Sequence, residues 1–100
     1  VKVKELIIEP KKGMSLQKHH KRSEIWLVSQ GKCLVNYSKV APDKIEEITL
    51  DRHNSLHVEL GDWHQIINPF NETCKIIEIQ YGKETIEDDI ERYSYYKNDE

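Results

Sequence analysis

The sequence predicts an all-β protein that folds as one small closed barrel or sandwich, and three observations support this prediction. Apolar and polar residues alternate with a period of two through most of the chain, as in half-buried strands. The alternating runs are short and are separated by Gly, Pro and Asn turns. Helical periodicity is hard to find before the C-terminal region. Barrels and sandwiches suit such strands because these architectures leave few long sheet edges exposed.

The predicted strands follow one another closely along the chain. The first ends at Pro10 and the Lys11–Gly13 turn, and Gln30-Gly31 is a hairpin turn between two later strands. We expect one domain over residues 1–100, with the barrel at about 1–82 and an acidic, then Tyr-rich, tail at 83–100. The tail is expected either to form a short helix or to pack across the barrel. The strands are predicted over residues 1–8, 15–18, 24–29, 32–37, 45–50, 55–60, 63–67 and 74–81.

Composition and charge limit the kinds of binding partner and the cellular compartment that we expect for this protein. The formal net charge of -3 and the pI near 6.0 give no reason to expect nucleic acid binding. No apolar run approaches the roughly 20 residues that span a membrane, and the first residues alternate like a strand instead of resembling a signal peptide. Cys33 and Cys74 are expected to be reduced packing residues. We therefore expect a cytoplasmic protein without membrane contact, and its small core favours a homodimer.

Two separated stretches carry the residues of a predicted metal site. The first places His19 and Glu24 between two glycines as G-x5-H-x4-E-x6-G, and the second places His64 in G-x2-H-x3-N. Imidazole nitrogen and carboxylate oxygen are good ligands for divalent transition metals. Two histidines and one carboxylate leave coordination positions open for water or substrate, as a catalytic metal requires. In an antiparallel barrel, the distant strand of His64 can face the other two residues.

These two stretches resemble the two motifs of the cupin superfamily, and the resemblance covers nearly the whole chain. It implies the cupin double-stranded β-helix, a small jelly-roll barrel, with a short C-terminal tail. Within the cupins, the chain resembles the type II mannose-6-phosphate isomerases, a domain often fused behind a mannose-1-phosphate guanylyltransferase. The segments that carry this closer resemblance are Ser15-Leu16-Gln17, His19-His20, Arg22-x-Glu24-x-Trp26, Ile77–Gln80 with Gly82, and Glu87–Ile90.

The chain departs from the usual cupin ligand set at Lys21, where cupins carry a second histidine. A lysine ammonium cannot bind a metal unless it is deprotonated. The resemblance therefore implies the ligands His19, Glu24 and His64, with Gln17 or a water filling the remaining position. The metal is expected to be divalent, with Zn, Mn, Fe and Ni as candidates.

The resemblance implies interconversion of mannose 6-phosphate and fructose 6-phosphate, with a phosphorylated sugar as the partner molecule. In this hypothesis the metal polarises the carbonyl, and Glu78 or metal-bound hydroxide moves the proton. Lys21 and Arg22 hold the phosphate as a point charge and a bidentate fork. Two alternatives to this phosphate-binding role stay open. Lys21 and Arg22 are expected equally well on a solvated face without a ligand. Lys21 can instead pair with Glu24 or Glu59 and so take the place of the metal.

Two further functions are considered. The first is a non-catalytic cupin that binds a sugar phosphate or nucleotide sugar, in complex with a separate guanylyltransferase. The second is a metal-dependent dioxygenase, because two histidines and a carboxylate also suit non-haem iron. Outside the site, Trp26 and Trp63 are interpreted as core or pocket-wall residues. The remaining histidines, His20, His53 and His57, are interpreted as ordinary strand or turn residues.

Overall fold

The computed structural model describes residues 1–97, which form ten strands that pair antiparallel in two sheets. Within that range no helix has the length and hydropathy needed to cross a bilayer. The strands are β1 Lys2–Ile8, β2 Lys12–Gly13, β3 Leu16–Lys18, β4 Arg22–Gln30, β5 Cys33–Ser38, β6 Glu46–Leu50, β7 Ser55–Val58, β8 Trp63–Asn68, β9 Cys74–Gly82 and β10 Glu91–Ser94.

The two sheets face each other and enclose the core. The four-stranded sheet has the order β1-β9-β4-β7, and the second has the order β10-β3-β8-β5-β6 with β2 also paired to β8. Strands adjacent in space are often far apart in sequence, as for β1 with β9 and β4 with β9. The predicted all-β barrel of the cupin type is confirmed by this architecture.

Alternation along the strands separates the core from the surface. The inward residues of β4 are Glu24, Trp26 and Val28, each no more than 1% exposed. On β8, Ile66 and Asn68 share the inward face with His64. The apolar core lies at one end of the barrel interior, and the polar groups of these strands gather at the other. The buried apolar cluster consists of Ile8, Trp26, Val28, Cys33, Val35, Leu50, Val58, Ile66, Cys74 and Ile76.

The structure refines the predicted strand boundaries. Lys12 and Gly13, predicted as part of a turn, pair with β8 as a two-residue strand. Leu60 and Ile45, predicted within strands, lie outside them and are 57% and 41% exposed. Both lie beside turns, where the chain leaves the sheet before the alternation of apolar residues ends. The two cysteines are free and buried, as expected.

The C-terminal segment packs across the barrel, the second of the two arrangements predicted for it. Its strand β10 pairs with β3 and extends the second sheet by one strand. Residues 83–90 connect β9 to β10 and lie against the turn at residues 19–21 through backbone hydrogen bonds from Lys83 and Glu84 to the Lys21 carbonyl. Residues 98–100 of the predicted tail lie outside the described residues.

Candidate metal centre

Three predicted ligands converge at the polar end of the barrel. His19 lies in the turn after β3, Glu24 lies near the start of β4, and His64 is the second residue of β8. One potential ligand atom from each residue lies within 4.8 Å of the other two. All three side chains are buried, with relative exposures of 2%, 1% and 2%. The four-stranded sheet contributes the carboxylate, the other sheet contributes His64, and the turn that connects β3 to β4 contributes His19.

Backbone carbonyls hold both imidazoles in one orientation. His19 donates from Nδ1 to the carbonyl of Asp89, and His64 donates from Nδ1 to the carbonyl of Asp62, at 3.0 Å. A carbonyl oxygen can only accept, so each neutral ring carries its proton on Nδ1 and a lone pair on Nε2. These Nε2 atoms lie 3.5 and 3.8 Å from the two oxygens of Glu24. Both histidines therefore present a ligating nitrogen to the same carboxylate.

The Glu24 carboxylate is itself held by two donors on its own strand. Arg22 approaches Glu24 Oε2 with both Nε and Nη2, each at 2.9 Å, and Trp26 Nε1 donates to Oε1 at 3.1 Å. Residues 22, 24 and 26 share one face of β4 because successive side chains of a strand alternate. The same Arg22 Nη2 lies 3.1 Å from His19 Nε2. The guanidinium thus contacts two of the three candidate ligands.

Burial favours the neutral forms of the two imidazoles and of one carboxyl. Desolvation lowers the pKa of His64 to about 4 and also lowers the pKa of His19. Glu78, on the inward face of β9, has its pKa raised to about 7 by desolvation and by the neighbouring Glu24 carboxylate. Neutral imidazoles are the form that binds metals, and a carboxyl that titrates near pH 7 can exchange protons there.

A small cavity of about 10 Å³ adjoins the candidate metal centre. Among the described residues, His64 Nε2 is buried without a hydrogen-bond partner. Buried polar atoms are normally paired, so this nitrogen is suited to an added ligand. The donor set of two imidazoles and a carboxylate fits a divalent transition metal. The cavity is lined by polar Ser15, Gln17, Glu24, His64, Gln65 and Glu78 and by apolar Leu6, Met14, Trp26 and Ile66.

The other predicted site residues differ in whether they line this cavity. Gln17 lines the cavity and lies opposite His64 in the sheet, with its side-chain oxygen accepting from Ser15 Oγ at 2.7 Å. Glu78 faces inward and lines the cavity. Trp63 does not line the cavity, because it lies on the outer side of its sheet under the Lys18 ammonium.

Lys21 and Arg22 are adjacent in sequence and separate in space. The prediction that Lys21 pairs with Glu24 or Glu59 is wrong, because its ammonium lies at the surface, 3.3 Å from Glu84. Lys21 precedes β4 and faces solvent, whereas Arg22 begins the inward face of that strand and is 4% exposed. The cation that pairs with Glu24 is therefore Arg22. The two side chains are not brought together as one clamp.

Two aspartates that sequence reasoning did not select complete the surroundings of the histidines. Besides the carbonyls noted above, the Asp62 carboxylate accepts from the Glu59 N–H, and the Asp89 carboxylate accepts from the His20 and Lys21 N–H groups. Both are buried, at 6% and 8% exposure. The resemblance over Glu87–Ile90 was the available signal for Asp89. The other three histidines are exposed at the surface or only partly buried, and none joins the centre.

The fold and the convergent centre define a cupin-type protein, and solved structures agree with this class. The chain superimposes on CapF, a capsular polysaccharide assembling protein from Staphylococcus aureus, with a TM-score of 0.80 at 21% identity. That match covers 93% of this chain and 28% of CapF. A 3,4-ketoisomerase from Helicobacter canadensis gives a TM-score of 0.76 at 15% identity, covering 92% of this chain and 68% of that protein. At these identities the likeness concerns the fold alone.

The chain belongs to the family described as Mannose-6-phosphate isomerase C-terminal, which matches residues 1–95. Curated relatives include Mannose-1-phosphate guanylyltransferase 2 of Escherichia coli O157:H7, 36% identical over 94% of this chain and 19% of that protein. Alginate biosynthesis protein AlgA of Pseudomonas aeruginosa is 36% identical over 90% of this chain and 18% of its own length. The chain thus spans about a fifth of the length of these relatives. The resemblance deduced from the sequence is confirmed.

Proposed function

We propose that this domain binds a divalent metal on His19, Glu24 and His64 and isomerises mannose 6-phosphate to fructose 6-phosphate. The observation that carries the proposal is the convergence of three ligand atoms within 4.8 Å, with both Nε2 lone pairs turned toward Glu24. When bound, a divalent metal supplies Lewis-acid polarisation of a carbonyl oxygen and stabilises negative charge on it. Gln17, which lines the same cavity, is the candidate for a further oxygen ligand.

Glu78 is the proposed acid/base. Aldose–ketose isomerisation moves a proton between two adjacent carbons, so a group that both accepts and releases a proton must lie beside the substrate. Glu78 lines the cavity with Glu24 and His64, and its pKa of about 7 suits exchange near neutral pH. Trp26 contributes an aromatic wall and fixes Glu24 through its indole N–H.

The phosphate-binding role is assigned to Lys21 at the surface and to Arg22 below it. Within residues 1–97, the partner of the Lys21 ammonium is the exposed carboxylate of Glu84, and such pairs contribute little, so the ammonium is available to an anion. Arg22 has Glu24, His19 and the Ile86 carbonyl as partners, and contact with a phosphate requires it to give up one of them. Lys21→Gln is therefore expected to raise KM for mannose 6-phosphate more than it lowers kcat.

The test of the metal proposal is elemental analysis of the purified chain beside a coupled assay for fructose 6-phosphate. We expect near-stoichiometric metal, activity that is lost on chelation, and loss of both in His64→Ala. His57→Ala is the matched control, because His57 lies on the outer face of the four-stranded sheet and contacts Tyr81. Absence of bound metal in the wild-type chain after incubation with Zn, Mn, Fe or Ni would contradict the proposal.

A second function is favoured by Arg22. Its guanidinium contacts His19 Nε2 and Glu24 Oε2, where it neutralises the carboxylate that a metal would otherwise neutralise. This contact favours a non-catalytic cupin that binds a sugar phosphate or nucleotide sugar, as a partner of a guanylyltransferase like those named among its relatives. Thermal stabilisation by these ligands without turnover would support this function. Oxygen consumption with Fe(II) would instead indicate a dioxygenase.

The oligomeric state is a separate proposal. We expect the chain to form a homodimer, because a domain of 100 residues has a small core and pairing buries additional apolar surface. Sedimentation velocity over a range of protein concentrations measures this directly. A single monomeric species at all concentrations would contradict it.

A further inference from the structure

Residues 83–90, which we call the strap, cross the turn that carries His19. The strap leaves β9 after Gly82, and the N–H groups of Lys83 and Glu84 donate to the Lys21 carbonyl at 3.0 and 3.3 Å. Farther along, the Ile86 carbonyl accepts from Arg22 Nη1 at 3.1 Å. The strap therefore contacts residues inside the first predicted motif, between His19 and Glu24, although it lies more than 60 positions away in sequence.

Asp89 makes the most specific contacts of the strap. Its two carboxylate oxygens accept separately from the N–H groups of His20 and Lys21, each at 2.9 Å. Its own backbone carbonyl accepts from His19 Nδ1. One buried residue thus binds the backbone of the turn through its side chain and the imidazole through its main chain. Hydrogen bonds to a carboxylate are among the stronger ones in proteins, so the carbonyl is held in a fixed position.

We propose that Asp89 is a positioning residue that keeps His19 in the Nδ1–H tautomer with Nε2 directed at Glu24. The importance of Nε2 rests on the proposed function, in which this nitrogen binds a metal. Groups that orient metal-bound histidines typically contribute 10–100-fold to metal affinity. Loss of the Asp89 carboxylate frees the turn and the carbonyl together, so that the contact from Arg22 Nη2 to Nε2 is left to favour the proton on Nδ1.

His64 provides an internal comparison, because Asp62 holds it in a similar way. The Asp62 carbonyl accepts from His64 Nδ1, and the Asp62 carboxylate accepts from the Glu59 N–H in the preceding turn. Each histidine therefore has its own buried aspartate. If the aspartates act locally, removal of one should disturb its own histidine and leave the other unchanged. General loosening of the barrel would disturb both.

The experiment measures the tautomers of His19 and His64 by long-range ¹H–¹⁵N spectra of the metal-free full chain, and the affinity for Co(II) by titration. In Asp89→Ala we expect His19 to lose its pure Nδ1–H signature while His64 keeps it, and the Kd for Co(II) to rise 10–100-fold. Asp88→Ala is the matched control, since Asp88 is the exposed neighbour and should retain wild-type values. Asp62→Ala should produce the reciprocal pattern.

Asp89→Asn covers the case in which Asp89→Ala does not fold, because the amide oxygen can still accept one of the two N–H groups. A folded Asp89 variant with a wild-type His19 tautomer and wild-type Co(II) affinity would overturn the inference, as would equal disturbance of both histidines. Failure of the wild-type chain to bind Co(II) would instead contradict the proposed function. The tautomer measurement would then decide the role of Asp89 by itself.

Discussion

The Glu24 carboxylate contacts two groups that stabilise its negative charge, and a second carboxyl group lies nearby. Arg22 and Trp26 donate to it, whereas the nearby carboxyl is that of Glu78. Burial raises the pKa of Glu78, and the Glu24 carboxylate raises it further, to about 7. A buried carboxyl with such a pKa is suited to acid/base catalysis at neutral pH.

The raised pKa of Glu78 predicts a pH dependence of stability. A carboxyl with a folded-state pKa of about 7 and an ordinary value of 4.5 binds more protons in the folded state between these pH values. The free energy of unfolding therefore decreases through this group as pH rises from about 4.5 to 7, by about 1 to 3 kcal/mol. Glu78→Gln removes this loss. The free energy of unfolding of the variant minus that of wild type should therefore be larger at pH 8 than at pH 5.

Urea unfolding of metal-free protein at both pH values tests this prediction. The histidines contribute in the opposite direction, because His64 with a folded-state pKa of about 4 loses stability as pH falls below 6.5. Glu78 also raises the pKa of both histidines, so its removal increases their loss of stability at low pH and changes the comparison in the same direction. Glu59→Gln, a change at an exposed carboxylate, is the control and should follow wild type. Parallel pH curves for Glu78→Gln and wild type would contradict the assignment.

The turns between strands determine how closely the backbone segments around the site can approach one another. Gly82 ends β9 with a φ of +135°, and a Cβ there would lie 2.7 Å from the Lys21 carbonyl oxygen and 3.0 Å from the Cα of Arg22. Because Gly82 has no side chain, the start of the strap can reach the turn that carries His19. Gly61 also has a positive φ, of +84°, but a Cβ there would meet no atom within 4 Å.

The two glycines predict different costs of substitution by alanine. Gly61→Ala should destabilise by about 1 kcal/mol, because only the left-handed backbone conformation opposes it. Gly82→Ala should destabilise by roughly twice that or more, because the strained φ is combined with a contact against backbone that cannot rotate away. Chemical denaturation of the two variants measures the difference. Equal costs would indicate that the strap does not need its close approach to the turn.

Across the whole molecule, the two sheets meet through the inward-facing rows of their longer strands. On β9 the buried residues are Cys74, Ile76, Glu78 and Gln80, and the residues between them face outward. The same strand therefore contributes apolar residues to the core and a carboxyl to the site. The apolar core and the candidate site therefore lie in the same barrel interior, at different positions along the strands.

This arrangement predicts a large difference between two neighbouring isoleucines. Ile76 is 0% exposed in the core, so Ile76→Ala should destabilise by about 2 to 5 kcal/mol through lost burial and the cavity left behind. Ile77 is half-buried on the outer face, so Ile77→Ala should cost distinctly less. Thermal or urea unfolding measures both variants. Similar losses would indicate that the outer face is covered by another protein surface.

Most strands and their inward faces could be predicted from the sequence, because alternation of side chains is a local property of the chain. Glu24, Trp26 and Val28 are spaced by two residues, which puts them on one face of a strand, and all three are buried. The start of β4 was predicted less well. The strand was predicted to begin at Glu24 but begins at Arg22, so the sequence did not separate the inward Arg22 from the solvent-facing Lys21.

The sequence by itself determined the all-β architecture and the family, and it supplied His19, Glu24 and His64 as candidate ligands. These properties depend on short-range patterns and on motifs that survive divergence. Only the tertiary structure decided that these three side chains meet, that Arg22 and not Lys21 contacts Glu24, and that Asp89 supports His19 from 70 positions away. The physical reason is that closure of the barrel pairs strands distant in sequence, so contacts across its interior have no local signature in the chain.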